Sequence, residues 1–415
     1  MKIVYFVPVF PRISETFVTR ELEELAKQGQ HNITIVSWGR EEHDIPNLLK
    51  GSIIKFEPSY KQAFSANLEY LFRYPFRYLK TLFLFIFSNH VSIKGFVHDM
   101  ASFLKSMAVA KFIEKLKPDH LHTHFLSWTA SFTMGVGSIL NIPFSITIHA
   151  SDLFIKNSPS IVGFATMKKR KINTAIFVVT VSKFNVEYLR NVLEISDSKI
   201  KMIRTGININ EFKDRNISYP KTKPLIIVQV GKFVPKRGFE YTIKACKKLK
   251  EEGIDFVCHL IGGPDISMES KDYYFKLIDK VNSLGLNQNI EFHGAIEFKH
   301  VKDIIAKCHV IISPSITPNN NDSEGLPTSI IEGFLAKRPV IATNHSGIPE
   351  LVKDGENGFL IAEKDVGALV HHLKFINNNM RQAELMGLSG YSKVVKEYNI
   401  VNSVRKLSLF FEGQN

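Results

Sequence analysis

Short runs of β-branched and aromatic residues alternate along this chain with longer stretches of helical period. In the first half the runs are KIVYFVPV, NITIVSW, DHLHTHF, PFSITIH, AIFVVTVS and KIKMIRTG, with helical patterns such as Val18–Gln28 and Met100–Leu116 between several of them. In the second half PLIIVQVG, DFVCHLIGG, NIEFHGA, VIISPS and PVIATN repeat the scheme. Strand–helix alternation of this kind predicts an α/β fold with parallel sheets covered by helices on both faces. Between the halves, Gly206–Pro224 is polar, holds two prolines and keeps no sustained period, so it reads as a linker. The expected organisation is a first Rossmann-like domain over 1–206, a linker over 207–224 and a second Rossmann-like domain over 225–396. A last helix within 397–415, near Val401–Phe411, is expected to pack back on the first domain. Two doubly wound domains facing each other would enclose a central cleft, with ligands held outside the carboxyl ends of the strands.

Composition narrows the class without naming it. A chain of 415 residues is long enough for two separate cores. Apolar content of 44% with 22% charged residues is ordinary for a soluble protein. Cys246, Cys258 and Cys308 are too scattered for a disulfide framework, and no CxxC or zinc-type spacing occurs, which points to a reducing cytoplasm. The opening MKIVYFVPVF reads as a buried first strand rather than a signal peptide. The longest apolar burst, Thr81–Phe87, falls far short of the ~20 residues that a bilayer-spanning helix needs.

The net charge of +13 is unevenly placed: residues 55–117 hold ten Lys/Arg against four Asp/Glu, interleaved with aromatics in YLFRYPFRYLKTLFLFIF. This mixture suits peripheral contact with an anionic membrane. The alternative is a helical pair whose aromatic side packs on the core. Nucleic acid is not expected as a partner, because the excess charge is otherwise diffuse and no nucleic-acid motif stands out.

The stretch SEGLPTSIIEGF, Ser323–Phe334, sets Glu324 just before a helix and Glu332 inside it. Pro327 suits the first helical turn, where its missing N–H costs nothing. The free N–H groups around Gly325–Ser329 would receive an anion. Eight helical residues span ~12 Å, about the reach of a nucleoside diphosphate sugar from ribose to hexose. On spacing alone, Glu324 as a capping acid and Glu332 as a surface residue is the favoured reading of the pair. A second stretch, VGKFVPKRG, ends a strand at Gly231 and presents Lys232 and Arg237, two cations able to neutralise a diphosphate. The loop after the first strand, PVFPRISETF, lacks G-x-G-x-x-G, which weighs against a dinucleotide oxidoreductase.

These residues resemble the retaining family 4 glycosyltransferases of the GT-B fold. VGKFVPKRG is similar to the family's G-R-x-x-x-x-K-G, and EGLPTSIIEG to its E-x7-E, with PVIATNHSGIPELVKDGENGFLI following. FPRISETFVTREL and DHLHTHF resemble the exopolysaccharide branch, the colanic-acid and amylovoran type. The resemblance implies that Glu332 binds the donor ribose, that Glu324 binds the reacting face of the transferred sugar, and that Lys232 and Arg237 hold the diphosphate. Gly231, Gly325, Leu326, Pro327 and Thr328 would complete the donor site. Lys232 stands where the family has Arg, and Arg237 where it has Lys, so charge is kept while fork geometry moves. His149, at the end of FSITIH, resembles the family's cleft histidine and joins Glu324, Lys232 and Arg237 as a catalytic candidate. His124, Ser14, Glu15, Thr16 and Asp152 are acceptor-side candidates, with helix capping as the plainer reading of Ser14–Thr16 and Asp152.

In DHLHTHF, His120, His122 and His124 share one face of a strand, a spacing compatible with zinc. No acidic partner is evident in the sequence, and the resemblance implies neither metal nor cofactor. The expected activity is transfer of a hexose, with retention, from a nucleotide sugar (UDP-linked in most such enzymes) to a saccharide or lipid-linked acceptor. The resemblance places that activity in bacterial surface polysaccharide synthesis, expected at the cytoplasmic membrane face. The alternatives are a GT-B nucleotide-sugar epimerase and a non-catalytic glycan-binding member.

Overall fold

The computed structural model describes residues 1–12, 15–39, 45–87, 93–149, 153–154, 167–212, 217–264, 268–319 and 322–414. The chain forms two compact units, Met1–Gly206 with Ile400–Asn415, and Ile207–Asn399. The first is built on a seven-stranded sheet of β1 (Lys2–Val9), β2 (Asn32–Gly39), β3 (Ile53–Lys55), β4 (His120–His124), β5 (Phe144–Ile148), β6 (Phe177–Thr180) and β7 (Ile200–Met202). Their order is β3-β2-β1-β4-β5-β6-β7, and every pair is parallel. The second unit carries β8 (Leu225–Val230), β9 (Phe256–Ile261), β10 (Ile290–Gly294), β11 (Val310–Ser313), β12 (Val340–Thr343) and β13 (Gly358–Ile361). Their order is β10-β9-β8-β11-β12-β13, again all parallel.

Both sheets are doubly wound. The order reverses between β1 and β4 in the first unit and between β8 and β11 in the second. Open α/β sheets bind ligands at the carboxyl end of such a reversal. The central strands β4 and β5 are buried throughout, because helices cover both faces.

The stretch 207–224 differs from the expected linker. Ile207 and Phe212 lie in the core of the second unit, and the buried Tyr219 donates its hydroxyl to the His309 carbonyl at 3.0 Å. Arg338, wholly buried, donates from Nη2 to the Ser218 carbonyl at 2.8 Å and to the Ala306 carbonyl, and from Nε to the Ile305 carbonyl at 3.4 Å. Three apolar anchors spaced five and seven residues apart show no period, so the polar residues between them hid the packing.

The basic aromatic segment folds as α2 (Tyr60–Arg73), α3 (Pro75–Ile86) and α4 (Ile93–Leu116), following α1 (Thr16–Gln28). Ser59 caps α2 through a capping box with Gln62, and Pro75 starts α3. Ala63, Ala66 and Tyr70 of α2 and Phe85 of α3 turn into the core. Phe64, Phe72, Phe76 and Phe83 turn out, with Phe72 79% and Phe76 87% exposed. The idea that the aromatic side packs inward therefore holds for only two of these six rings. Among the described residues no helix is long and apolar enough to cross a membrane.

Candidate active site

In the second unit the two loops at the β8/β11 reversal are locked together. Gly238 has φ +69°, and a Cβ there would sit 1.8 Å from the Pro314 carbonyl oxygen, so only glycine lets the loop after β8 reach the loop after β11. The Ile316 amide donates to the Lys236 carbonyl at 2.9 Å across the same seam. Gly231 serves through space rather than through a left-handed turn: a Cβ there would meet the Arg237 side chain at 3.2 Å.

This seam places Glu324, 6% exposed, between two cations. Arg237 Nη1 lies 3.2 Å from Glu324 Oε2 and Lys236 Nζ 3.6 Å from Oε1; Lys236 also pairs with Asp322 at 2.9 Å. Burial pushes the Glu324 carboxyl up, but the charges of Arg237 and then Lys236 pull it down and the group stays below its ordinary pKa. Arg237 Nε is buried and has no hydrogen-bond partner among the described residues. A buried guanidinium N–H left open is costly unless a ligand accepts from it.

His345 fixes the backbone at this point. Its Nε2 accepts from the Glu324 amide at 3.3 Å and faces Ser323 Oγ at 3.0 Å, while Nδ1 lies 2.7 Å from Glu363 Oε1. That pattern calls for the neutral ring with its proton on Nδ1. Glu363 in turn receives the Thr317 amide at 2.9 Å.

The helix Thr328–Leu335 follows, with Pro327 at the capping position rather than in the first turn and no side-chain cap on its amides. Only Thr328–Glu332 of the interval between the two acids is helical, so a span of eight helical residues does not apply. Glu332 is buried within the helix. Gly325, Leu326 and Thr328 stay partly open beside it, and Pro327 is buried. Lys232 sits one residue past Gly231, but the cation that joins Arg237 at Glu324 is Lys236. Lys236, Asp322, His345 and Glu363 escaped the sequence reading. A K-R pair in one short turn does not show which side chain points inward, and His345 acts across 21 residues of chain.

In the first unit the β1/β4 reversal gathers a polar chain. His124 Nε2 lies 3.1 Å from Glu21 Oε1 and His124 Nδ1 3.3 Å from His149 Nε2, with the two rings stacked at 5.6 Å. Glu21, which no local pattern signals, supplies the acidic partner not evident in DHLHTHF itself. Phe17 and Phe125 flank His149 at 4.6 and 4.9 Å. Burial, then His124, lowers the His149 pKa well below its ordinary value. His122 spends one nitrogen on Ser145 at 2.7 Å and the other on Thr147 at 3.0 Å. Glu15 does not cap α1 with its side chain; its carboxylate turns back on Arg12 at 2.7 Å. Thr16 is the first residue of α1. Ser14 and Asp152 lie outside the described residues.

These histidines imply a pH dependence. Burial, helped by the neighbouring His31, depresses His120 to about 4. Unfolded, it titrates near 6.5. Between those values the unfolded state binds more protons, so this contribution is intact above about 6.5 and is lost as pH falls toward 4. The full window is worth at most ~3 kcal/mol. Melting curves at pH 7 and 4.5 should show a fall that is shallower in His120→Asn; an identical fall would assign the effect elsewhere.

The chain matches two family models, Glycosyltransferase Family 4 over residues 14–211 and Glycosyl transferases group 1 over residues 210–392. It is 33% identical over 176 residues to WcaL of Escherichia coli K12, a protein named for colanic acid biosynthesis. That match covers 42% of this chain and 41% of WcaL, less than half its length. An uncharacterized glycosyltransferase of Methanocaldococcus jannaschii, MJ1178, is 30% identical over 307 residues, covering 71% of this chain and 76% of that one. In fold the chain is similar to HepE of Anabaena, solved with UDP-glucose, at TM-score 0.71 and 15% identity over 99% of both chains.

Proposed function

The chain belongs to the family 4 glycosyltransferases, and from that premise we propose that it moves a hexose from a nucleoside diphosphate sugar to a saccharide or lipid-linked saccharide in the building of a bacterial surface polysaccharide. The observation that carries the reading is the buried Nε of Arg237, without a partner among the described residues, beside the Glu324 ion pairs at the carboxyl end of the sheet reversal. In the reaction the bond from the anomeric carbon to the diphosphate oxygen breaks. A new bond forms to the acceptor oxygen, and the acceptor's proton passes to the leaving phosphate.

Arg237, Lys236 and the uncapped amides at the start of Thr328–Leu335 would take up the charge of that leaving group, with Lys232 at the strand end. The protein's own cations would do this without a metal. Glu324 would bind the reacting sugar and Glu332 the ribose. On the acceptor side we place His149 and His124, with Glu15 and Thr16 at the loop after β1. We take UDP as the donor nucleotide and retention as the stereochemical course. NMR of the product linkage reads the latter directly.

Thermal shift against UDP- and GDP-sugars tests the donor site, because a ligand at 100 times its Kd stabilises by about 2.7 kcal/mol. A shift with one donor beyond that of its bare diphosphate, lost in Glu332→Ala, is the expected result. No shift with any nucleotide, even with glycolipid extract present, would overturn the reading. Epimer formation from donor alone would favour an epimerase instead.

The outward rings of α2 and α3 lie among Arg73, Arg77 and Lys80, and Arg73 and Arg77 stack over Tyr74 at 5.0 and 5.2 Å. We assign this face to an anionic membrane on which a lipid-linked acceptor is held. In flotation with anionic vesicles the wild type should rise with the lipid, and the Arg73→Glu, Arg77→Glu, Lys80→Glu triple variant should stay below. Equal flotation of both would sink the assignment.

A further inference from the structure

A second cluster of ligating side chains lies on the outer edge of the second unit's sheet, away from the β8/β11 reversal. Its placement follows from strand geometry. Side chains two apart on a strand share a face, which sets Glu291 and His293 of the edge strand β10 together. The parallel register pairs Glu291 with His259 of β9, and an irregularity between Phe292 and Gly294 falls at His293. Irregularities of this kind re-aim a side chain.

The result is a convergence of three ligand atoms. His259 Nδ1 lies 2.9 Å from His293 Nε2 and 3.1 Å from Glu291 Oε2, and His293 Nε2 lies 3.6 Å from that same oxygen. A tetrahedral zinc ion with bonds of ~2.0–2.1 Å keeps its ligand atoms about 3.3 Å apart. The three separations bracket that value, so an ion fits just above the triangle with no side chain moved far. The histidine side chains are 17% and 24% exposed and that of Glu291 57%, which leaves a water-accessible fourth position.

A further group, Glu21, His122 and His124, also brings ligand atoms close together. There, however, both nitrogens of His122 are engaged by Ser145 and Thr147, and those of His124 by Glu21 and His149. The two histidines on β9 and β10 instead turn their facing nitrogens on each other and on one carboxylate oxygen.

We propose that His259, Glu291 and His293 form a surface site for a divalent transition metal of the zinc class, bound by two imidazoles and one carboxylate with water as the fourth ligand. Imidazole with carboxylate is a donor set that zinc accepts readily, whereas calcium and magnesium want oxygen throughout. The ion would clip the edge strand to its neighbour and hold the turn at Gly294, which leads into the helix Phe298–Lys307. It is a structural clip, separate from the sugar-transfer site.

Isothermal titration of the metal-stripped full chain with zinc tests this, with cobalt(II) absorption reporting the coordination. The wild type should bind zinc at this site at micromolar or tighter concentration and give the intense visible bands of four-coordinate cobalt. His293→Ala and His259→Ala should each weaken this binding by at least ~10-fold, a ligand being worth no less than the outer-sphere partners that cost 10–100-fold. Both variants should keep the metal-free melting temperature of the wild type. Glu21→Gln serves as the control and should bind zinc as the wild type does. No zinc binding by the wild type, or binding unchanged in both histidine variants, would overturn the proposal. So would loss of binding in Glu21→Gln alone, which would move the ion to the first unit.

Discussion

Glu324→Gln is expected to leave a folded protein whose rate of sugar transfer falls by about 10²–10³, the usual cost of losing one preorganised electrostatic group. The substitution keeps shape and hydrogen-bonding capacity and removes one negative charge from a site where Arg237 and Lys236 approach to 3.2 and 3.6 Å. Those cations then face a diphosphate with less competition. Bare UDP should therefore bind as tightly as before, or more tightly, while transfer collapses. That opposite movement separates loss of a reacting-sugar contact from general damage, which would weaken both. Single-turnover transfer and nucleotide titration on the same preparation provide the comparison. Full transfer rate in the variant would show that the carboxylate does not serve the reacting sugar.

Arg338→Met is expected to destabilise the second unit by about 3 kcal/mol, since buried acceptors left unpaired cost about 1–3 kcal/mol each. Some of that loss is offset because a buried charge is removed as well. The carbonyls at stake belong to Ser218, Ile305 and Ala306, so one side chain ties the start of the unit to the end of the helix before β11. For a unit of this size, 3 kcal/mol corresponds to roughly 6–12 °C in melting temperature. Arg338→Lys should recover little, because one ammonium does not reproduce a fork that reaches three carbonyls. A calorimetric scan in which both variants melt within about 2 °C of the wild type would refute the role, 2 °C being under 1 kcal/mol at this size.

The two sheets were legible because parallel strands buried on both faces advertise themselves as short apolar runs between helical ones. Glu324, Arg237 and Gly231 were legible because each lies where a strand ends or a helix begins. What stayed hidden depends on contacts between distant parts of the chain. Nothing local marks His345 as the residue that accepts the Glu324 amide, or Glu21 as the neighbour of His124. The stretch 207–224 reads as a linker because its buried anchors, Ile207, Phe212 and Tyr219, follow no period. In α2 and α3 the sequence does not say which rings face out, since apolar residues occupy both sides of each helix.

The last helix, Ile400–Phe411, belongs to the first unit, where Phe411 packs edge-on against Tyr5 and lies beside His120 and His122. During synthesis, then, the part that emerges first is the part completed last. All of Ile207–Asn399 must leave the ribosome before the floor beneath β1 and β4 is closed. At about 5–20 residues per second that wait is roughly 10–40 s. Through it the nascent first unit holds an open apolar seam where Phe411 will pack against Tyr5, so any truncation before Ile400 leaves that seam uncovered.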